Sequence, residues 1–248
     1  MGAKSKVYDA TWNPVQGCGK EFYDPMHWRK PRRILVVGGV WDMFHKSVPY
    51  VWVDQVFAVM ATCPQHTFMV LTKDALRMLA YVGSRVGQPL RNVWLGCSCE
   101  NQAAADERIP YLLATPTALR FISCEPLLGA VDLAVSLAVA ANSTNTVQWR
   151  TAWRGFIDWV IVGGESGPQA RPMHPDWVRS LRDQCRAGSV PFFFTGWGEW
   201  KPVSTASGIQ KSLLCQYDTK TRFGFVRNAN HFRVLDGVEH DGMPEVTR

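Results

Sequence analysis

The sequence predicts an α/β fold, a single βα barrel of TIM-like type, partial or complete, with a C-terminal extension. Three observations carry the βα part of that prediction. Short apolar runs without polar alternation recur along the chain, the pattern of parallel strands buried on both faces. A stretch with helical spacing follows most of them, so strand and helix alternate as crossover connections require. The runs end in glycines, carboxylates or hydroxyls, and in such barrels the working groups sit on loops after the strand carboxyl ends. A chain of 248 residues is an ordinary length for one such barrel.

In chain order, Thr11-Trp12-Asn13-Pro14 reads as a short strand whose end is marked by Pro14, followed by the loop Gly17-Cys18-Gly19. The basic run Trp28–Arg33 leads into Ile34–Gly39, and Asp42, Phe44 and His45 follow before a helix that starts near Pro49. Within that helix Val53, Val56, Phe57 and Met60 keep one face. Thr67–Leu71 is a strand ending at Thr72-Lys73, with a helix near Asp74–Val82. Asn92–Gly96 ends at Cys97-Ser98-Cys99-Glu100, with a helix near Gln102–Leu113. Leu119–Ser123 ends at Cys124-Glu125-Pro126. Ala130–Arg154 reads as a variable excursion rich in small and polar residues. Ile157–Val162 then runs into Gly163-Gly164-Glu165-Ser166-Gly167, followed by a helix near Asp176–Arg186 and the strand Val190–Phe194. Residues 1–200 thus form the barrel, and residues 201–248, where the rhythm is lost, form an extension packing on it.

A formal charge of +6 suits an anionic partner, a nucleotide or nucleic acid. The eleven tryptophans are scattered and several fall in strands, which points to core packing rather than a base-stacking platform. No apolar run is long enough for a membrane span and no signal-peptide pattern opens the chain, so a cytoplasmic location is expected, with no membrane partner. Seven irregularly spaced cysteines argue against a disulfide framework. Reduced core thiols are one reading and metal ligation the other.

The strand endings nominate a shared mouth. Asp42, His45, Lys73, Glu100, Glu125 and Glu165 are the candidate catalytic groups, with Glu199 on the last strand's loop. Gly163, Gly164 and Ser166 form the candidate cofactor loop, since glycine at a strand end lets a ligand approach the backbone. Cys18, Cys97, Cys99 and Cys124 fall at or just past strand ends and are the candidate ligands for zinc or an iron–sulfur cluster. No Cys-x-x-Cys, Gly-x-Ser-x-Gly or P-loop motif is present, and Gly163–Gly167 is too short for a dinucleotide fingerprint.

Several blocks resemble a phage- and prophage-encoded family of radical-SAM-like proteins with a three-cysteine motif. They are Asp9–Cys18, Trp28–Ile34, Asp42–His45, Cys63–Phe68, Leu71–Lys73, Asn92–Gly96, Ala105–Pro110, Ser123–Gly129, Trp159–Gly167 and Phe192–Trp200, with an echo in Leu235-Asp236-Gly237. The resemblance implies a radical-SAM-like βα barrel in which three cysteines ligate a four-iron cluster and S-adenosylmethionine fills the open iron site. The chain departs from that pattern after Cys18, where Gly19–His27 leads directly to Trp28 and the further cysteines and helix of the family are missing. Thr195-Gly196 replaces a usual Lys-Gln, and Cys97 stands where valine is usual. Gly163-Gly164-Glu165 also lies too late in the chain to match the early Gly-Gly-Glu with which that superfamily binds S-adenosylmethionine.

The expectation is therefore a protein derived from a radical-SAM-like enzyme without a competent cluster, a pseudoenzyme or ligand-binding protein with an acidic mouth and no resident cofactor. The alternatives are an active enzyme and a phage protein whose partner is a host protein. The enzyme would use a rearranged cluster with S-adenosylmethionine for nucleotide or nucleic-acid modification, or carboxylate acid–base chemistry, or zinc. A lost strand–helix unit would expose sheet edge, to be covered by the extension or by a second copy in a homodimer.

Overall fold

The computed structural model describes residues 7–14, 20–36, 42–85, 87–140, 156–204, 223–227 and 232–245. Among them seven strands form one parallel sheet whose spatial order is their order in the chain. They are β1 (Ala10–Trp12), β2 (Arg33–Val36), β3 (Thr67–Thr72), β4 (Val93–Ser98), β5 (Leu119–Cys124), β6 (Trp159–Gly163) and β7 (Phe192–Gly196). The sheet is curled into a half-barrel flanked by helices, which is the α/β architecture expected in its partial form.

The helices are α1 (Asp24–His27), α2 (Tyr50–Thr62), α3 (Ala75–Arg85), α4 (Gln102–Ala114), α5 (Leu133–Ala140) and α6 (Pro175–Ala187). Their starts have local causes. Asp74 Oδ1 accepts the Arg77 amide at 3.0 Å, Asn101 Oδ1 accepts the Ala104 amide at 3.0 Å, and His174 Nδ1 accepts the Asp176 amide beside Pro175. Helix α5 falls inside the stretch read from the sequence as a variable excursion. Leu133, Ala134 and Leu137 are buried against the core, and Ser136 Oγ donates to Asp106 Oδ1 of α4 at 2.7 Å. Alanine and leucine favour a helix in this segment, and tertiary packing holds it. No helix among the described residues is long and apolar enough to cross a membrane.

Alternation along each strand separates two apolar layers. Val70, Leu95, Ile122, Val160, Val162 and Phe194 face the helices. Met69, Trp94, Phe121, Trp159, Ile161 and Phe193 fill the inside of the curve. Trp159 meets Trp94 and Phe193 edge-on, with ring centroids 6.1 and 6.0 Å apart. These side chains pack the inside of the curve below the carboxyl ends of the strands.

Beyond β7 the described residues form antiparallel strand pairs. β8 (Trp200–Ser204) pairs antiparallel with β9 (Phe223–Arg227), and β10 (Val234–Leu235) with β11 (Val238–Glu239) around an Asp236-Gly237 turn at positive φ. The chain then runs along the outer edge of β7. The Phe194 amide donates to the His240 carbonyl at 2.9 Å and the Gly242 amide to the Phe192 carbonyl at 3.0 Å. Trp159 Nε1 donates to the Gly242 carbonyl at 2.8 Å, and Met243 Sδ accepts from Arg33 Nη1 of β2. The C-terminal segment thus covers an edge that would otherwise offer unpaired backbone.

Candidate functional site

The loops after β2 and β3 are joined by Asp42. Its Oδ2 accepts the Thr72 hydroxyl at 2.7 Å and the Lys73 amide, and its Oδ1 accepts the Phe44 amide at 2.8 Å. His45 Nδ1 lies 2.7 Å from Ser47 Oγ, and the His45 carbonyl accepts from Arg77. These bonds shape the loop rather than present Asp42 to a ligand. The Lys73 ammonium reaches across to Glu100 Oε1 at 2.6 Å, and Arg108 Nη1 reaches Glu100 Oε2 at 2.8 Å and the Ser98 carbonyl at 2.7 Å. Burial pushes the Glu100 carboxyl upward, but hydrogen bonds and the two cations outweigh it and hold the group below its usual range.

Glu125 has different surroundings. Its Oε1 accepts the Thr195 hydroxyl at 2.9 Å, and no cation among the described residues pairs with it. The side chain is exposed, although protein packs round its carboxyl. That enclosure raises its pKa, with the Thr195 bond only partly opposing the rise. Two features of β6 and β7 create the arrangement. Val162 pairs with Phe194 and Gly163 with Gly196, so Thr195 is an extra residue on β7, a bulge that re-aims its hydroxyl. A Cβ on Gly163 would overlap Thr195 Oγ1 and stand 2.9 Å from Glu125 Oε1. Glycine there is what lets the acid and the hydroxyl meet.

Gly164 has a second, purely structural role. A Cβ on it would collide with the Trp197 carbonyl, its amide donates to the Gly196 carbonyl at 2.9 Å, and the Glu199 amide donates to the Glu165 carbonyl at 2.8 Å. The β6 and β7 loops are thereby zipped together backbone to backbone. Glu165 is clamped by Arg171, whose Nη2 and Nε lie 2.8 and 2.9 Å from its two oxygens and whose amide donates at 2.8 Å. These bonds hold the Glu165 carboxyl down to about 2. Ser166 is exposed on the same loop, and Glu199 pairs with Arg227 at 3.2 Å. Among the described residues Glu100, Glu165 and Glu199 therefore carry counter-ions, Asp42 is held by two amides and a hydroxyl, and Glu125 has the Thr195 hydroxyl alone.

Spacing placed Cys97, Cys99 and Cys124 at strand ends, but their side chains take the other face. All three are fully buried in the layer under the helices, with the Cys97 and Cys99 sulfurs 3.7 Å apart. The hydrogen bond to Cys97 and burial raise Cys99, and burial raises Cys124, so both remain protonated. A cluster needs three thiolates reaching one open iron site, and this set does not fit one. Among the described residues no three His, Cys, Asp or Glu side chains stand so as to hold a metal ion. Cys18 lies outside the described residues.

Sequence reasoning missed the groups that organise the site. Arg108 and Arg171 sit within helix and loop as ordinary charges, and the Thr195 bulge has no sequence mark beyond its departure from the usual Lys-Gln. Ser98 and Ser123, register partners on β4 and β5, alternate onto the inner face at the mouth. They are 5% and 4% exposed.

No curated protein and no solved structure matches the chain. A family model described as "Protein of unknown function (DUF5131)" matches residues 19–244, most of the length, and the chain belongs to that family.

Proposed function

We propose that this chain is a ligand-binding half-barrel of radical-SAM-like, phage or prophage derivation. It works without an iron–sulfur cluster and takes a small ligand at the carboxyl end of the sheet. The observation that carries the reading is Glu125, a carboxyl at the end of β5 without a counter-ion among the described residues, beside a bulged hydroxyl and a glycine that makes room for both. Ion-paired structural acids elsewhere in the mouth are already satisfied; this one is left with capacity to bind. The orientation of Cys97, Cys99 and Cys124 supports the absence of a cluster held by those thiols.

The same residue favours a second reading, an enzyme in which Glu125 is a general acid or base. A carboxyl whose pKa is raised, next to a hydroxyl, is suited to holding and releasing a proton at its free oxygen. Thermal-shift titrations with nucleosides, nucleotides and S-adenosylmethionine test binding, run on the wild type and Glu125→Ala. A stabilising ligand lost in Glu125→Ala is expected, together with no stoichiometric iron or sulfide in anaerobically purified protein. Bound cluster, or a ligand indifferent to Glu125, would overturn the first reading. Conversion of the bound ligand, read by mass spectrometry, would select the second.

A further inference from the structure

We propose that the amino-terminal end of the half-barrel, opposite the mouth, docks the sugar–phosphate backbone of a nucleic acid. The inference goes beyond the small-ligand reading and depends on no residue of the mouth. Its frame is the three segments leading into β2, β3 and β4, residues 28–32, 63–66 and 87–92. The Thr67 amide donates to the Arg32 carbonyl at 2.9 Å and the Phe68 amide to the Asn92 carbonyl at 2.7 Å, so the segments lie side by side. Two strand spacings separate the Arg32 and Asn92 backbones by about 10 Å. His66, buried between them, pins the first segment. Its Nδ1 accepts the Arg32 amide at 3.2 Å and its Nε2 donates to the Pro25 carbonyl at 3.0 Å. Asn92 Nδ2 ties the third segment to the second, donating to the Met60 and Cys63 carbonyls at 2.9 and 3.1 Å.

The charge on this frame has one sign. The three segments carry Arg29, Lys30, Arg32 and Arg91 and no acid. Arg29, Lys30 and Arg91 are exposed, and among the described residues none of the three enters an ion pair. The Arg32 guanidinium lies over the half-buried Trp28 ring, 5.0 Å from its centre. Other arginines are committed: Arg85 to Asp54, Arg108 to Glu100, Arg171 to Glu165, and Arg179 and Arg182 to Asp236. Glu21 and Asp24 precede the frame in the chain. The acids that lead into β1 and β6, Asp9 and Asp158, accept the Arg33 and Arg120 amides, each at 2.8 Å. Outside the described residues Asp218 alone is acidic. Three of the four cations are arginines, whose forked guanidinium matches phosphate oxygens. Uncommitted cations on a fixed frame neutralise successive phosphates and read no base sequence. An anionic membrane fits less well, because α1, which carries the exposed Met26 beside the frame, has four residues, too few for an amphipathic helix in the bilayer surface.

The test is fluorescence anisotropy of the full chain with a labelled oligothymidylate and a labelled DNA duplex, from low to moderate salt. Binding is expected to weaken linearly with salt on logarithmic axes, and to ignore base sequence. Lys30→Glu should weaken it by about tenfold or more. Lys46→Glu makes the same change in net charge on the exposed loop after β2, at the other end of the sheet, and should weaken it by less than about twofold. Arg29→Ser combined with Arg91→Ser should lower the salt slope by about 1–2, the share of two phosphate contacts. Circular dichroism and unfolding midpoints establish that each variant is folded. Equal losses in Lys30→Glu and Lys46→Glu would overturn the proposal, the attraction then belonging to net charge and not to this face. Capture by phosphatidylserine vesicles without binding of either oligonucleotide would overturn it in favour of a membrane. Tighter binding of poly-glutamate than of either oligonucleotide would overturn it in favour of an acidic protein segment. Binding of no probe would also overturn it, and would leave the reading of the mouth untouched.

Discussion

Gly163 and Thr195 cannot both carry a side chain: a methyl on the glycine would occupy the space of the threonine hydroxyl. Gly163→Ala must therefore push Thr195 or Glu125 out of place. The expected cost is about 1–3 kcal/mol of stability, typical of overpacking, with ligand binding lost alongside it. Adding Thr195→Ser keeps the hydroxyl and should restore little, whereas Thr195→Gly should recover much of the stability without the binding. Urea unfolding of the single and double variants measures the coupling, and independent, additive effects would contradict the packing relationship.

Glu125 makes stability depend on pH in a definite direction. Its folded pKa is raised by burial, so through the window above the ordinary carboxylate range the folded chain holds a proton that the unfolded chain has released. Stability from this group is full below that window and falls as pH rises through it. Glu125→Gln removes the titration. The variant should match the wild type near pH 4 and unfold at a higher temperature near pH 8, the trade of stability for function expected at a site. An identical pH profile in the two proteins would mean that the carboxyl is not enclosed.

The two cations on Glu100 should differ in worth. Arg108 is mostly covered and also binds the Ser98 carbonyl, so Arg108→Ala should cost about 1–3 kcal/mol through unsatisfied buried acceptors. The Lys73 side chain is 64% exposed, so Lys73→Ala should cost under about 1 kcal/mol. Because the Glu100 pKa is lowered, its contribution is present above the ordinary carboxylate range and is lost as pH falls below it. The Arg108→Ala penalty should shrink in acid; equal penalties at pH 7 and pH 3 would contradict the pairing.

Much of the fold was legible because buried parallel strands write continuous apolar runs, and the runs at Thr67, Asn92, Leu119, Ile157 and Val190 became β3 to β7. The loops carrying Glu100, Glu125 and Glu165 followed directly. What could not be read was which carboxylate is free, since that depends on Arg108 and Arg171 arriving from other positions in the chain. Nor could the face taken by Cys97 and Cys99 be read, because one residue of strand register turns a side chain from the mouth to the helical layer. The bulge at Thr195 is a matter of one unpaired residue, invisible in composition.

Those thiols supply a chemical test of the sheet's register. Cys63, Cys97, Cys99, Cys124 and Cys185 are all buried, and burial raises Cys124 and Cys185 far from the thiolate range. Maleimide applied to the folded protein should leave these five unmodified, and in urea it should label them all, with sites identified by peptide mass spectrometry. Rapid native labelling of Cys97 or Cys99 would place them at the mouth instead of under the helices.

Asp236 ties the C-terminal hairpin to α6. Arg179 Nη2 and Arg182 Nη1 lie 2.7 and 2.6 Å from its two oxygens, and these hydrogen bonds hold its carboxyl down to about 2. The sign follows from the depressed value: the tie contributes fully above the ordinary aspartate range and is lost as pH falls from there through about 2. Asp236→Asn is the clean probe, because asparagine tolerates the positive φ of 50° at this position while removing the charge. The group is partly exposed, so solvent screening limits the loss to about 1 kcal/mol or less. The larger signal should be local. Hydrogen exchange in residues 234–243 should accelerate at pH 7, and with it exchange at the Phe194 amide, whose acceptor is the His240 carbonyl on that segment. Since the same segment covers the edge of β7, Asp236→Asn should also aggregate sooner on mild heating. Unchanged protection at Phe194 would show that the edge is held by its own ladder and not by the ion pairs on α6.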